Sequence, residues 1–263
     1  MRMANIQLYT YQLPLRMPLQ INILKMSYRT GVFVKFTHPA GAEGWGEIAP
    51  LLGISREALD EAKNFALSLR ENLLSFDLPD DVGDTNVFEK IMGRVPASVR
   101  CGYEMAYFNL LAAIHKKSPH HFWGNNDHKI IRVNGLLTGT SEEVLEMAKR
   151  QKGMGYVSTK IKVGRRPIAE EIDLVLRVVD VLGRGIRLRL DANRSWTFHQ
   201  AVEFAQGIRG TPIEYIEEPL YVPAQITDFF HETGMAVALD ETLEDTPHSV
   251  WADFSGVRAI VLK

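Results

Sequence analysis

Five charged residues recur through the second half of this chain at intervals of 23 to 29 residues: Lys162, Asp191, Glu217, Asp240 and Lys263. Each comes at the C-terminal end of a short strand-like run, at 157–163, 186–191, 213–217, 235–240 and 257–262, and a further run at 130–135 opens the series. The segments between the runs have helical periodicity and clear end signals. Thr140 with Glu143 and Thr197 with Gln200 have the spacing of capping boxes. Pro167 suits a first helical turn, and Gly183 and Gly234 suit helix ends. Repeated strand–helix units of this size imply a parallel sheet. Parallel strands deliver their C-terminal ends to one side, so all five charges are expected on a single rim. No glycine-rich phosphate fingerprint follows any strand, which argues against a nucleotide site.

Alternation within the runs sharpens this. Lys160 and Lys162 share one strand face, with Ile161 and Val163 on the other. Arg189 shares a face with Asp191, and Tyr215 with Glu217, whereas Glu218 points the opposite way and Pro219 ends the strand. In the last run Ala259, Val261 and Lys263 share a face. A face that accepts charge only at strand ends suits a (β/α) barrel, whose active sites are assembled at that rim.

Three carboxylates converging at low dielectric repel one another and take up protons, and a divalent cation removes the conflict. Asp and Glu oxygens with no Cys or His nearby suit a hard ion, Mg²⁺ first and Mn²⁺ as the alternative. Two lysines across such a site suit proton transfer. Lys160 and the cation would both depress the pKa of Lys162, giving an amine able to act as a base.

The first half reads differently. Strand character is expected at 4–13 and 28–37, chain breaks at Gly41, Gly44 and Gly46 around Trp45, and amphipathic helices at 55–70 and 97–115. The polar, His-rich stretch near 116–129 marks a boundary between an α+β domain, 1–126, and the barrel domain, 127–263. Around that stretch His115, His120, His121 and His128 read as solvated loop residues, and elsewhere Cys101 reads as a small buried one. The net charge of −2 argues against a nucleic-acid binder. No apolar run reaches the roughly 18 residues of a membrane helix. One cysteine and no signal-peptide pattern fit a reduced, cytoplasmic compartment.

The run Thr159-Lys160-Ile161-Lys162-Val163-Gly164 resembles the KxK motif of the enolase superfamily, muconate-lactonizing subgroup. Arg189 through Trp196, Ile216-Glu217-Glu218-Pro219, Leu239-Asp240-Glu241 and Val261-Leu262-Lys263 resemble the motifs of its next four strands, and Gly44 through Leu51 a loop of its capping domain. Within the subgroup the likeness is greatest to the o-succinylbenzoate synthases, through Arg189 and the run Asp191-Ala192-Asn193-Arg194-Ser195-Trp196. The resemblance implies an α+β capping domain followed by an enolase-type barrel acting on a small-molecule carboxylate. It implies Mg²⁺ held by Asp191, Glu217 and Asp240, and Lys162 removing the proton α to the carboxylate and then assisting loss of a hydroxyl. Lys263 would stabilise the anion from the opposite side, and Lys160 would tune the base and touch the carboxylate. Asn193, Arg189 and Glu241 would support these groups from behind, and capping loops near 17–28 and 50–54 would shape specificity. Racemases of N-acylamino acids, dipeptide epimerases and muconate cycloisomerases share the scaffold, and a non-catalytic form is the remaining alternative. By the same period six barrel strands are accounted for at Lys263, and eight would take roughly 50 residues more; the chain is therefore expected to represent the barrel incompletely.

Overall fold

The structure, a computed structural model, describes residues 3–21, 24–79, 93, 95–122 and 130–262. Lys263, Trp123 and His128 lie outside them. The chain divides into two compact units, Met1–His128 and Lys129–Lys263.

The first unit is built on an antiparallel sheet of β1 (Asn5–Ile21), β2 (Leu24–Thr37) and β3 (Glu43–Ile48), in that order. Its helices are α1 (Leu59–Ser75) and α2 (Ala97–His115). Val32, Val34 and Phe36 alternate along β2 and bury one face, with Ala62, Ala66, Leu69 and Leu73 of α1 and Tyr103, Ala106 and Leu110 of α2 in the same core. The expected loop near 17–28 is instead mostly strand, because β1 and β2 pair as far as Ile21 and Leu24. Pro14 and Pro18 obscure this in the sequence. β1 is an edge strand paired only with β2, where a missing N–H is tolerated, and the register shifts between Pro14 and Leu19.

Gly44 and Gly46, expected as breaks, lie inside β3. A Cβ on Gly46 would overlap the carbonyl oxygen of Gly102, and one on Gly44 that of Ala106, both in α2. These glycines let helix and strand approach backbone to backbone. Cys101, adjacent to Gly102, falls on the outward side of α2 and is exposed, not buried as expected.

The second unit holds six parallel strands, each hydrogen-bonded to the next: β4 (Gly135–Leu137), β5 (Ser158–Lys162), β6 (Arg187–Asp191), β7 (Ile213–Glu217), β8 (Val237–Leu239) and β9 (Val257–Ile260). The connecting helices are α3 (Ser141–Gln151), α4 (Ile168–Leu182), α5 (Phe198–Gly207), α6 (Ile226–Thr233) and α7 (Glu241–Asp245). Both capping boxes form, Thr140 with Glu143 and Thr197 with Gln200. The first barrel strand is shifted from its expected place. Pairing with β5 begins only at Gly135 opposite Thr159, and the preceding apolar residues Ile130 and Ile131 are 94% and 86% exposed.

One parity of each strand forms the core with the helices. Ile161, Leu188, Leu190, Ile216 and Leu239 are buried with Val175 and Val178 of α4, Phe204 of α5 and Phe229 of α6. Each such side chain contributes about 1.5–3 kcal/mol. With the fold anchored on that face, the opposite parity is free to carry charge. Among the described residues no helix is long and apolar enough to cross a membrane.

Candidate active site at the strand ends

Strand register assembles the site. Lys160 lies opposite Arg189, Lys162 opposite Asp191, and Asp191 opposite Glu217. The next acid, Asp240, directly follows β8, whose Ala238 lies opposite Glu217. Asp191, Glu217 and Asp240 are 1%, 2% and 8% exposed.

Two lysines meet these acids. Lys160 Nζ donates to both oxygens of Glu217, at 2.9 and 2.7 Å, and contacts Asp191 Oδ2 at 2.8 Å. Lys162 Nζ contacts the same Oδ2 at 2.7 Å. Burial pushes the Asp191 carboxyl upward, but hydrogen bonds from Lys160 and Lys162 outweigh it and hold the group below its ordinary value. Glu217 moves the other way. Burial raises it, the hydrogen bond from Lys160 offsets only part of that, and the charges of Asp191 and Asp240 add to the rise. Burial alone would lower Lys160, yet its hydrogen bonds to Asp191 and Glu217 leave it raised. Glu217 thus senses the charges of Asp191 and Asp240, and the Lys160 ammonium answers part of that repulsion. Among the described residues no three His, Cys, Asp or Glu side chains close up as a ready-made metal-ligand group. The donors at the rim are nonetheless all carboxylate oxygens, the chemistry a hard cation requires.

Asn193 links Lys162 to its surroundings. Its Oδ1 accepts from Lys162 Nζ at 2.7 Å, its Nδ2 donates to Glu241 Oε1 at 3.0 Å, and its backbone N–H donates to Asp191 Oδ1 at 3.2 Å. Asn193 holds a left-handed backbone, φ 44°. Arg189 sits two residues before Asp191 on the same parity. Its Nε pairs with Glu214 at 2.9 Å, its Nη1 donates to Asn134 Oδ1 at 3.3 Å, and its guanidinium lies 5.5 Å from the Tyr215 ring centroid. Those partners make Arg189 part of the sheet's inner layering beneath the acids. Lys263 falls outside the described residues.

Sequence reasoning missed three participants: Glu218, Arg194 and Thr242. The opposite parity of Glu218 shows that it leaves the Glu217 face, but not that it is buried in a bonded network. In the first unit, Arg29 donates to the carbonyl oxygens of Ala49 and Pro50, and a cavity of about 200 Å³ is lined by Met26, Tyr28, Arg29, Pro50, Leu52 and Glu57.

Comparison with known proteins follows the same division. Residues 2–107 match the family described as MenC, N-terminal domain, and residues 143–251 match the enolase C-terminal domain-like family. The chain is 32% identical over 272 residues to the o-succinylbenzoate synthase of Vibrio cholerae, an alignment covering 99% of this chain and 73% of that protein. It is 32% identical over 265 residues to the chloroplastic protein PHYLLO of Arabidopsis thaliana, covering 90% of this chain but only 15% of that protein. The crystal structure of o-succinylbenzoate synthase from Thermosynechococcus elongatus, complexed with Mg in its active site, superposes with a TM-score of 0.69 at 25% identity, over 97% of this chain and 75% of that one. The chain belongs to the o-succinylbenzoate synthase family of the enolase superfamily.

Proposed function

We propose that the protein is an o-succinylbenzoate synthase, a carbon–oxygen lyase that dehydrates 2-succinyl-6-hydroxy-2,4-cyclohexadiene-1-carboxylate in menaquinone biosynthesis. The shared contact of Lys160 and Lys162 with Asp191 at the rim, in register with Glu217, supports the proton chemistry, and the o-succinylbenzoate synthase relative favours dehydration over racemisation. Lys162 takes the proton α to the substrate carboxylate. The resulting ammonium donates a proton to the departing hydroxyl, so one water leaves and the ring becomes aromatic. Both transfers use one side chain and hence one face of the ring, a syn elimination. Asn193 and Glu241 orient Lys162. Lys160 holds the acids in place and reaches the substrate carboxylate, and Lys263 stabilises the developing anion from the other side. Mg²⁺ fits the oxygen-only donor set of Asp191, Glu217 and Asp240, and when bound it would supply positive charge for the substrate carboxylate. The protein would work in the cytoplasm.

The family's shared scaffold sets the test. The purified protein with Mg²⁺ is assayed on the dehydration substrate and, in parallel, on N-succinyl amino acids and dipeptides. Turnover of the first is expected. Turnover confined to the amino-acid or dipeptide panel would make the protein a racemase or epimerase, and turnover of none would leave a non-catalytic chain.

A further inference from the structure

Glu218 follows Glu217 directly yet takes no part in the pair with Lys160. Its backbone is left-handed, φ 42°, a conformation that a non-glycine residue keeps only when its surroundings enforce it. The side chain is 1% exposed. A buried carboxylate needs its lone pairs filled, and this one receives four donors. Its Oε1 accepts the backbone N–H groups of Asp240 and Thr242, each at 2.7 Å. Its Oε2 accepts the Thr242 hydroxyl at 2.8 Å and Arg194 Nε at 3.1 Å.

The main chain of Glu218 is tied as well. Its N–H donates to the Ala238 carbonyl at 3.0 Å, and its own carbonyl accepts from the Arg194 N–H at 2.7 Å. Arg194, also left-handed, spreads its remaining donors over Asp245 at 2.6 Å and the Thr242 hydroxyl at 2.9 Å. One residue thus joins the ends of three strands. Glu217 and Asp240 are related through one peptide bond, one carboxylate and one hydrogen bond. The loop that follows Asp191 is related to both through Arg194. Spacing set by such short links is far stiffer than spacing left to long side chains.

We infer that Glu218 is a positioning residue: it fixes Asp240 relative to Glu217 and Asp191 and so sets the cation affinity of the three acids. The inference rests on the metal reading of the rim given above. Groups that orient ligands from behind are worth roughly 10- to 100-fold in metal affinity. Glu218→Gln offers a single carbonyl oxygen to the four donors and sets an amide N–H₂ against the rest. Thr242→Val removes one donor, and Thr242→Ser keeps it.

The test is titration of the full chain with Mn²⁺ alone, following the free ion by electron paramagnetic resonance, with the metal-free melting temperature read beside it. Glu218→Gln is expected to weaken Mn²⁺ binding roughly tenfold or more. Thr242→Val is expected to weaken it by a smaller factor, and Thr242→Ser to restore it. If Glu218→Gln fails to fold, the two Thr242 variants decide. Unchanged Mn²⁺ affinity with a lowered metal-free melting temperature would make Glu218 a structural clasp only and overturn the inference. If the parent protein binds no Mn²⁺, or binds it equally well as Asp191→Asn, the metal reading itself fails and this inference falls with it.

Discussion

Lys160 and Glu217, 57 residues apart in sequence, are joined through both carboxylate oxygens, at 2.9 and 2.7 Å, and the same ammonium reaches Asp191 at 2.8 Å. One cation thus compensates two buried acids. Lys160→Met keeps much of the packing of the stem and removes the charge. Breaking a buried pair typically costs 3–5 kcal/mol, and the partly exposed lysine lowers that to about 2–3 kcal/mol. The deficit is expected to shrink on acidification, because protonating Glu217, already raised in pKa, relieves the uncompensated charge. Denaturant unfolding of metal-free protein across acid and neutral pH measures both effects. A variant as stable as the parent at neutral pH would show that the pair contributes nothing.

The role proposed for Lys162 predicts a selective loss. Lys162→Ala should reduce solvent proton exchange at the substrate α-carbon by about 10²–10⁴-fold, the usual contribution of a positioned base. Mn²⁺ binding should persist, since the acids are untouched. Deuterium incorporation followed by NMR separates the outcomes, and exchange at the parental rate would remove Lys162 from the mechanism.

Gly46→Ala tests the seam between β3 and α2. The added methyl group would overlap the Gly102 carbonyl, so strand and helix must separate. Overpacking of this kind costs about 1–3 kcal/mol, occasionally more. A lower urea midpoint with an unchanged slope is the expected signature.

Glu214 gives a pH prediction with a definite sign. Burial raises its carboxyl, but the hydrogen bond from Arg189 prevails and lowers it beneath the ordinary 4.5. A group depressed in the folded state binds fewer protons there than in the unfolded chain. Its stabilisation is therefore full above the unfolded value and fades as pH falls through the folded one. Glu214→Gln should be less stable than the parent at neutral pH, with the gap narrowing as pH falls below the ordinary 4.5 and the parent takes up its proton. Thermal melts over that range would show the two curves converging, and parallel curves would refute the assignment.

The rim was the most legible part of this protein. Lys162, Asp191 and Glu217 occupy the ends of strands with period-two alternation, so parity and spacing alone bring them into register. Features that depend on what lies across a gap were not legible. The segment near 17–28 reads as a loop because nothing local reveals that β1 and β2 continue to pair there. Gly44 and Gly46 look flexible until Gly102 and Ala106 are seen against them. Ile130 and Ile131 have strand-like side chains but precede the point where pairing with β5 starts. Glu218 stands beside a recognised acid, and its purpose emerges only with the Asp240 and Thr242 amides in view.

The alternation along β6 has one more consequence. Leu188 and Leu190 belong to the core, while Arg189 and Asp191 belong to the charged face. Two messages are thus interleaved in five residues, and the strand behaves as a reading frame. Any single residue on either track can be exchanged with only local damage, but inserting one residue after Arg187 would exchange the tracks, turning leucines toward the acids and an arginine into the core. Divergence within such a scaffold can therefore rewrite its chemistry letter by letter, while a shift of frame within β6 would disturb both faces at once.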